Sequence, residues 1–454
     1  MICSLRQLQE KCREQQQPLY LAFVDLTKAF DLVSREGLFA LLQKIGCPPK
    51  LLSVIKSFHQ DMQGTVQFDG SSSESFPICS GVKQGCVLAP TLFGIFFSLV
   101  LRSAFETSTD GVYLHTRTDG KLFNLARLKA KTKIRRVLIR EMLFADDAAL
   151  VAHTQDGLQS MMNALPRACQ EFGLTISLKK TEIMCQDVRE APDIRISDHT
   201  LRVVDEFTYL GSTVTSNLSL EPELNKRIGK ASTAMAKLTQ KVWENNKLTT
   251  VTKVAVYRAC VLSTLLYGSE SWTTYAHQER RLNSFHMRCL RRILNISWKD
   301  HVTNEDVLAQ TKMPTIFGLL LQRRLRWLGH TCRMEDGRIP KDILYSELSS
   351  GTRATGRPLL RFKDVCKRDL KSADIDTHTW EILAQNRNAW RQTIKSGITT
   401  ADTKRINTWS EKRERRKATA TLQQPTTFIC IMCSKDCHSR IGLLSHNRSK
   451  CKFK

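Results

Sequence analysis

A chain of 454 residues can bury several cores and is expected to divide into roughly two to four domains. Its 41% hydrophobic and 25% charged content excludes a disordered chain. The 69 Lys and Arg against 44 Asp and Glu leave a net charge of +25, which argues against a small neutral substrate and for a polyanion, most simply nucleic acid.

The amino terminus has no apolar core of signal-peptide type. The most apolar stretch, residues 88–101, falls short of the roughly 20 residues a membrane helix needs. The 15 cysteines form no regular framework and read as reduced thiols plus metal ligands. The expected compartment is nucleus or cytoplasm, with no membrane and no secretion.

Residues 3–17 are helix-prone and lead into the apolar, aromatic run Leu19-Tyr20-Leu21-Ala22-Phe23-Val24, which has strand length and places Asp25 at its exit. Residues 31–45 then read as a helix with Leu38, Leu41, Leu42 and Ile45 at core spacing, stopped by Gly46 and Pro48-Pro49. A second helix over 51–61 and a strand with a turn over 65–70 follow. The glycine-bearing loop Ser80-Gly81-Val82-Lys83-Gln84-Gly85 opens onto an apolar helix ending near Leu101. It either lets backbone approach a phosphate or is a plain turn.

Between 116 and 140 the chain is basic: Arg117, Lys121, Arg127, Lys129, Lys131, Lys133, Arg135, Arg136 and Arg140 make either a phosphate-contacting tract or a solvated hairpin. Next comes Phe144-Ala145-Asp146-Asp147, flanked by short apolar runs that predict strand, turn, strand. Taken alone, Asp-Asp is turn chemistry. With Asp25 at another strand exit, the aspartates become candidates to hold two divalent ions for in-line phosphoryl displacement. Mg²⁺ is suited to this because it takes one or two carboxylates plus substrate phosphates.

After the acidic turn, residues 157–172 form an amphipathic helix with Leu158, Met161, Met162, Leu165 and Cys169 on one face. Residues 173–181 read as a turn, a strand and a lysine pair, and 207–212 as a strand and turn. The pattern then becomes helical over 221–245, 250–266 and 278–294, the last with Arg281, Arg288 and Arg292 on a shared face that suits a duplex backbone or is simply solvated. Residues 314–400 stay helical and basic, with Trp327, Trp380 and Trp390 as core anchors and 353–358 as a linker. The charge run 411–417 is a nuclear-localisation signal or a solvated face. Near the end, Cys430, Cys433, His446 and Cys451 have the spacing C-x2-C-x12-H-x4-C, which predicts a small ββα zinc unit that folds with its metal.

In order, FVDLTKAFD, SGVKQGCVLAPTLF, FADD, GLTISLKKT and YLGS resemble the reverse transcriptase of non-LTR (LINE-type) retrotransposons, from about Leu19 to near Gly397. The resemblance implies an α+β fold: a right-hand polymerase palm of antiparallel sheet with helices (1–218), an all-α thumb (219–310) and basic C-terminal region (311–410), then the zinc finger (425–454). It implies Asp25 and Asp146 as Mg²⁺ (or Mn²⁺) ligands with Asp147 beside them, and Lys180 as the proton donor to departing pyrophosphate. Phe30 would pack under the sugar and disfavour ribonucleotides, while Gln84 and Gly85 would position template and incoming nucleotide. Tyr209, Leu210 and Gly211 would form the primer grip. The expected activity is RNA-directed DNA synthesis from dNTPs on an RNA template and DNA primer. Ala89 stands where the family commonly has serine, and Asp25 lies close to Met1, where fingers and an endonuclease are expected to precede it. The chain therefore reads as truncated, and the alternatives are a weak or inactive remnant that binds nucleic acid through basic helices and zinc finger, or a relic.

Overall fold

The computed structural model describes residues 1–117, 121–124, 132–353, 356, 359–422, 428–437 and 439–449. Its organising element is strand β1 (Leu19–Val24), the middle of a five-stranded sheet. With β2 (Val112–Thr116), β3 (Arg135–Ile139), β4 (Glu141–Phe144), β5 (Asp147–Ala152), β6 (Glu182–Gln186) and β7 (Arg202–Val203) numbered along the chain, the sheet order is β7-β6-β1-β5-β4. Strand β1 runs antiparallel to both neighbours, with Leu21 opposite Val151 and Met184.

Both faces of this sheet are covered, which is why Leu-Tyr-Leu-Ala-Phe-Val is apolar at nearly every position instead of alternating. On one face lie helices α4 (Ala89–Phe105) and α5 (Gln155–Glu171), whose Phe93, Phe96, Phe97, Met161 and Met162 pack with Ala22, Val24 and Leu150. Helix α1 (Ile2–Glu14) lies on the other, burying Leu5, Leu8 and Cys12 at i, i+3 and i+7 with Leu19, Leu21, Phe23, Val112 and Tyr209.

Several expected boundaries shift for local reasons. The helix expected over 31–45 is α2 (Arg35–Lys44), because the Ser34 hydroxyl accepts the Gly37 N–H at 3.2 Å and caps it there. Ile45 is exposed at its end. Helix α3 is Pro49–Ser57, with proline at its first turn. Gln67–Phe68 pairs with Ser71–Ser72 across Asp69-Gly70, so the strand expected over 65–70 is a minimal hairpin. Residues 173–181 are not a strand. The segment makes one bridge to the chain leaving β1, Ile176 to Leu26, in which Ser177 N–H donates to Asp25 O and Thr27 N–H to Thr175 O, both at 2.8 Å; the Lys180 and Thr181 N–H groups turn back onto Ser177 O.

In the basic tract, β2 and β3 form a hairpin, with Arg136 over the Tyr113 ring at 3.8 Å. Arg140 turns inward and donates to the Phe105 and Ser108 carbonyls. Arg127, Lys129 and Lys131 lie outside the described residues.

A second hairpin, β8 (Glu206–Tyr209) with β9 (Ser212–Thr215), leads into helices α6 (Glu221–Lys237), α7 (Thr250–Val256), α8 (Ala276–Ile293) and α9 (Asn304–Thr311). These pack around Trp243, Tyr257, Trp272, Phe285 and Leu290. Helix α10 (Ile316–Cys332) gives Ile316, Phe317 and Leu320 to that cluster, then Leu321, Leu325 and Leu328 to the next. The second cluster joins α12 (Phe362–Ser372), α13 (Trp380–Gln385) and α14 (Arg387–Leu422) around Trp380 and Trp390, both buried, whereas Trp327 is half-buried and donates to Cys3 Sγ at 3.0 Å.

The region after 219, expected to be nearly all helix, also carries a strand. Following α11 (Ile339–Tyr345), strand β10 (Glu347–Leu348) adds to β2, because Leu348 is buried against α1 and the back of the palm sheet. Arg353 reaches Glu14 and Glu347, so the expected linker starts on a fixed point. Among the described residues no helix is long and apolar enough to cross a membrane.

One buried histidine in the helical region carries a testable consequence. His286 is fully buried, bonds the Tyr257 hydroxyl through Nδ1 at 2.8 Å, and is held down to about 4 by burial. The folded chain therefore resists a proton that the unfolded chain accepts near 6.5, and stability falls as pH drops from about 6.5 to about 4, by an amount of the order of 3 kcal/mol. Urea denaturation of the parent and of His286→Asn across this window should show that component missing from the variant.

Candidate active site

The register of the sheet brings the sequence-predicted aspartates together. Val24 pairs with Ala148 and Phe144 with Asp147, so one further step along the ladder sets Asp25 opposite Asp147, with Asp146 in the turn beside them. Side chains alternate along a strand. Asp25 and Asp147 thus share the parity of Phe23 and Ala149, the face toward the β8–β9 hairpin.

Ala145, first central residue of the β4–β5 turn, has φ 54, a position where glycine is the usual choice. Holding a Cβ there costs on the order of 1 kcal/mol, a strain borne by the β4–β5 pairing on either side.

Electrostatics report the same crowding. The Asp147 carboxyl is pushed above its ordinary value, first by burial and then by the charges of Asp146 and Asp25. Asp25 Oδ2 is screened from solvent and receives no hydrogen bond; the Lys180 ammonium lies 3.2 Å away, off hydrogen-bonding alignment. Neighbouring carboxylates at paired strand ends offer hard oxygen donors, the ligand type that suits Mg²⁺. Lys180 arrives there because residues 175–181 fold along the exit of β1, with Thr181 Oγ1 facing Asp25 N–H at 3.5 Å.

Phe30 sits half-buried on the turn after Asp25, stacked on Phe93 at 4.5 Å. The Gly81 loop docks on the same turn: Val82 N–H donates to Phe30 O, and a Cβ at Gly81 would lie 2.7 Å from Asp31 Cα. Arg35 clamps the loop from below, donating to the Gly81 and Ser80 carbonyls. Gln84 and Gly85, at the loop tip, are exposed, Gly85 with φ 91.

Tyr209 ends β8 almost fully buried, and its hydroxyl donates to Met142 O at 3.2 Å. Burial, then the nearby Asp147 charge, raises its pKa. Leu210 and Gly211 both take positive φ, 48° and 75°, the twist a two-residue hairpin demands. Three residues that sequence reasoning did not single out hold this turn. Tyr267 donates to Leu210 O at 2.9 Å, Arg227 donates to Gly211 O, and buried Glu223 accepts from Ser212, Thr213 and Arg227. Their only local signal was the i, i+4 spacing of Glu223 and Arg227.

Farther along, the arginine face of α8 is partly engaged. Arg281 bonds Glu221, Arg292 bonds Thr239, and Arg288 lies over Phe285. At the carboxyl end, Ile429 pairs with Asp436 ahead of the helix Arg440–Ser449, and the ligand atoms of Cys430, Cys433 and His446 lie within 4.8 Å of one another. Cys433 Sγ is 3.0 Å from His446 Nε2. Cys451 lies outside the described residues.

Residues 2–214 match the family model described as reverse transcriptase (RNA-dependent DNA polymerase). A transposon-derived protein of Caenorhabditis elegans is 26% identical over 274 residues, covering 58% of this chain and 97% of its own. The RNA-directed DNA polymerase from mobile element jockey of Drosophila melanogaster is 25% identical over 308 residues, 65% of this chain but 30% of its own. The chain thus spans under a third of that polymerase. A telomerase structure from Candida tropicalis, covering 75% of this chain at 12% identity, has a TM-score of 0.34, too low to carry an argument.

Proposed function

Because residues 2–214 are a reverse transcriptase domain of the kind carried by non-LTR retrotransposons, we propose that this chain extends a DNA primer on an RNA template through Asp25, Asp146 and Asp147. The observation that carries the reading is the placing of the three aspartates at paired strand ends, near enough for Asp25 and Asp146 to act on the Asp147 charge, with the Tyr209 hairpin on the same face. Asp25 and Asp146 would hold two Mg²⁺ ions, which supply charge neutralisation at the reacting phosphate. Asp147 adds the negative charge that makes the pocket prefer a cation. Lys180, which lies beside Asp25, would give a proton to the departing pyrophosphate. Phe30, fixed by Phe93, stands as the steric check under the sugar, and the Gln84–Gly85 tip closes over the base. The rigid Leu210–Gly211 turn grips the primer end. The proposed partners are an RNA template, a DNA primer and dNTPs.

Primer extension on an RNA template with Mg²⁺, and separately with Mn²⁺, tests this. Labelled cDNA is the expected product. Failure to extend, with salt-sensitive RNA binding retained, would favour the nucleic-acid-binding remnant instead.

The reading includes a zinc finger on Cys430, Cys433 and His446, with Cys451 as fourth ligand. Titrating the chelator-stripped full chain with Co²⁺ should develop the absorption of a tetrahedral thiolate site. In Cys433→Ser that absorption should weaken and the apparent affinity drop at least tenfold. Silence in the parent would remove the finger from the proposal.

A further inference from the structure

Helix α10 buries one side in two cores and carries a cationic stripe along another. Arg323, Arg326, His330 and Arg333 recur at spacings of three, four and three, which places them on one helical face. Beside that face lies an open groove of about 500 Å³, lined among others by Arg258, Arg323, Arg326, Trp327 and His330, with Glu270 as its acidic group. Glu270 approaches Arg323 only to 3.9 Å.

Cations outnumber carboxylates along this groove. Burial lowers the pKa of Arg323, Glu270 raises it, and neighbouring Arg326 lowers it again by less. His330 is lowered by burial and then by Arg333 and Arg387. Like charges held this close raise the energy of the folded chain, and a ligand carrying several negative charges at backbone spacing would relieve it. Glu270 offsets part of this at Arg323, but it is one carboxylate facing several cations.

The groove's position gives it a direction. The short turn Leu266–Glu270 contacts it at both ends, through Leu266 and Glu270. Between them Tyr267 holds the Leu210 carbonyl, and a Cβ on Gly268 would sit 3.7 Å from Ser212 Oγ. One turn of chain therefore links the β8–β9 hairpin to the cationic groove.

We propose that the α10 groove is a second nucleic-acid site, which holds the phosphate backbone of a single strand as it passes the β8–β9 hairpin. It is separate from the carboxylate site, and its occupancy does not require catalysis. Half-buried Trp327, in ring contact with His330 at 5.4 Å, gives the groove an aromatic edge beside the guanidinium groups.

The test is fluorescence anisotropy on the full chain carrying Asp25→Asn and Asp146→Asn, which separates binding from polymerisation. The probes are a labelled 20-nucleotide RNA and a DNA of the same sequence, each over a KCl series. Each lost phosphate contact lowers the slope of log K against log salt by roughly 0.7 for single strands. The pair Arg323→Gln and Arg326→Gln should therefore lower it by about 1.4 and weaken binding about tenfold. The Lys pair at the same positions should keep the slope. Arg102→Gln with Arg189→Gln removes the same charge from exposed palm positions and should leave the slope unchanged. An unchanged slope in the groove variant, or an equal fall in the palm control, overturns the proposal. Whichever probe shows the larger groove-dependent fall identifies the strand held there. Because Arg326 is exposed, Arg326→Gln alone supplies a variant that folds, with half the slope change expected.

Discussion

Replacing Asp25 with asparagine is expected to lower primer extension by roughly 10³-fold or more, about 4 kcal/mol of transition-state stabilisation, with the fold intact. The charge logic separates this from a stability effect. Asp147 is held above its ordinary value by burial, then by Asp146 and Asp25. Without a cation, the folded chain keeps that proton to a higher pH than the unfolded one, so this group costs stability as pH rises through the carboxylate range. Asp25→Asn removes one of the repelling charges. It also removes the contact with Lys180, whose side chain is 71% exposed, so little is lost through a screened pair. The variant should therefore unfold within about 0.5 kcal/mol of the parent. Millimolar Mg²⁺ supplies a readout that does not depend on activity. It should raise the parent's melting temperature at neutral pH and progressively less toward acid, where Asp147 takes up its proton. It should barely move the variant. Full activity in Asp25→Asn would remove the carboxylates from the mechanism altogether.

The strand ends that carry Asp25 and Asp147 were legible because each has a local signal. A six-residue apolar run fixes where β1 ends, and the apolar stretches on both sides of Ala145-Asp146 fix the hairpin. The helix stripe Leu158, Met161, Met162, Leu165 and Cys169 was legible for a similar reason, and all five are buried. What could not be read is what depends on distant backbone. Residues 173–181 have strand-forming Leu, Thr and Ile, yet the Lys180 and Thr181 N–H groups turn back to Ser177 O, so pairing stops after one bridge. Strand β10 is two residues long and exists because Leu348 fills a space between α1 and β2, which no periodicity encodes. The props of the Leu210–Gly211 turn lie 16 and 57 residues downstream. The arginine face of α8 looked free in sequence because Glu221 and Thr239, its partners, sit on another element.

Asp369→Ala is expected to cost about 3–5 kcal/mol of stability, more than any single substitution at the protein surface. Arg324 is 2% exposed in the middle of α10, and its Nε and Nη2 donate to the two Asp369 oxygens at 2.6 and 3.2 Å. Burial alone would pull this guanidinium's pKa down; the Asp369 carboxylate, with smaller help from Glu279 and Cys366, more than reverses that. Taking the carboxylate away leaves a cation in the core with the Thr274 hydroxyl at 3.2 Å and Glu279 at 4.0 Å, and Glu279 is already committed to Arg368 at 2.9 Å. Removing both charges is a different change. Arg324→Met with Asp369→Leu leaves nothing unpaired, and it should recover most of the loss, because desolvating the native ions offsets much of their attraction. Urea midpoints for the two single variants and the double close the cycle, and additive losses would mean the two groups do not act as a pair. The cycle also bears on the groove. The pair joins α10 to α12 and, through Thr274 and Glu279, to the start of α8, so it fixes the helix whose opposite face carries Arg323 and Arg326. Asp369→Ala should therefore weaken single-strand binding along with stability, while the double variant, with the core re-formed and both surface arginines in place, should restore the parental salt slope.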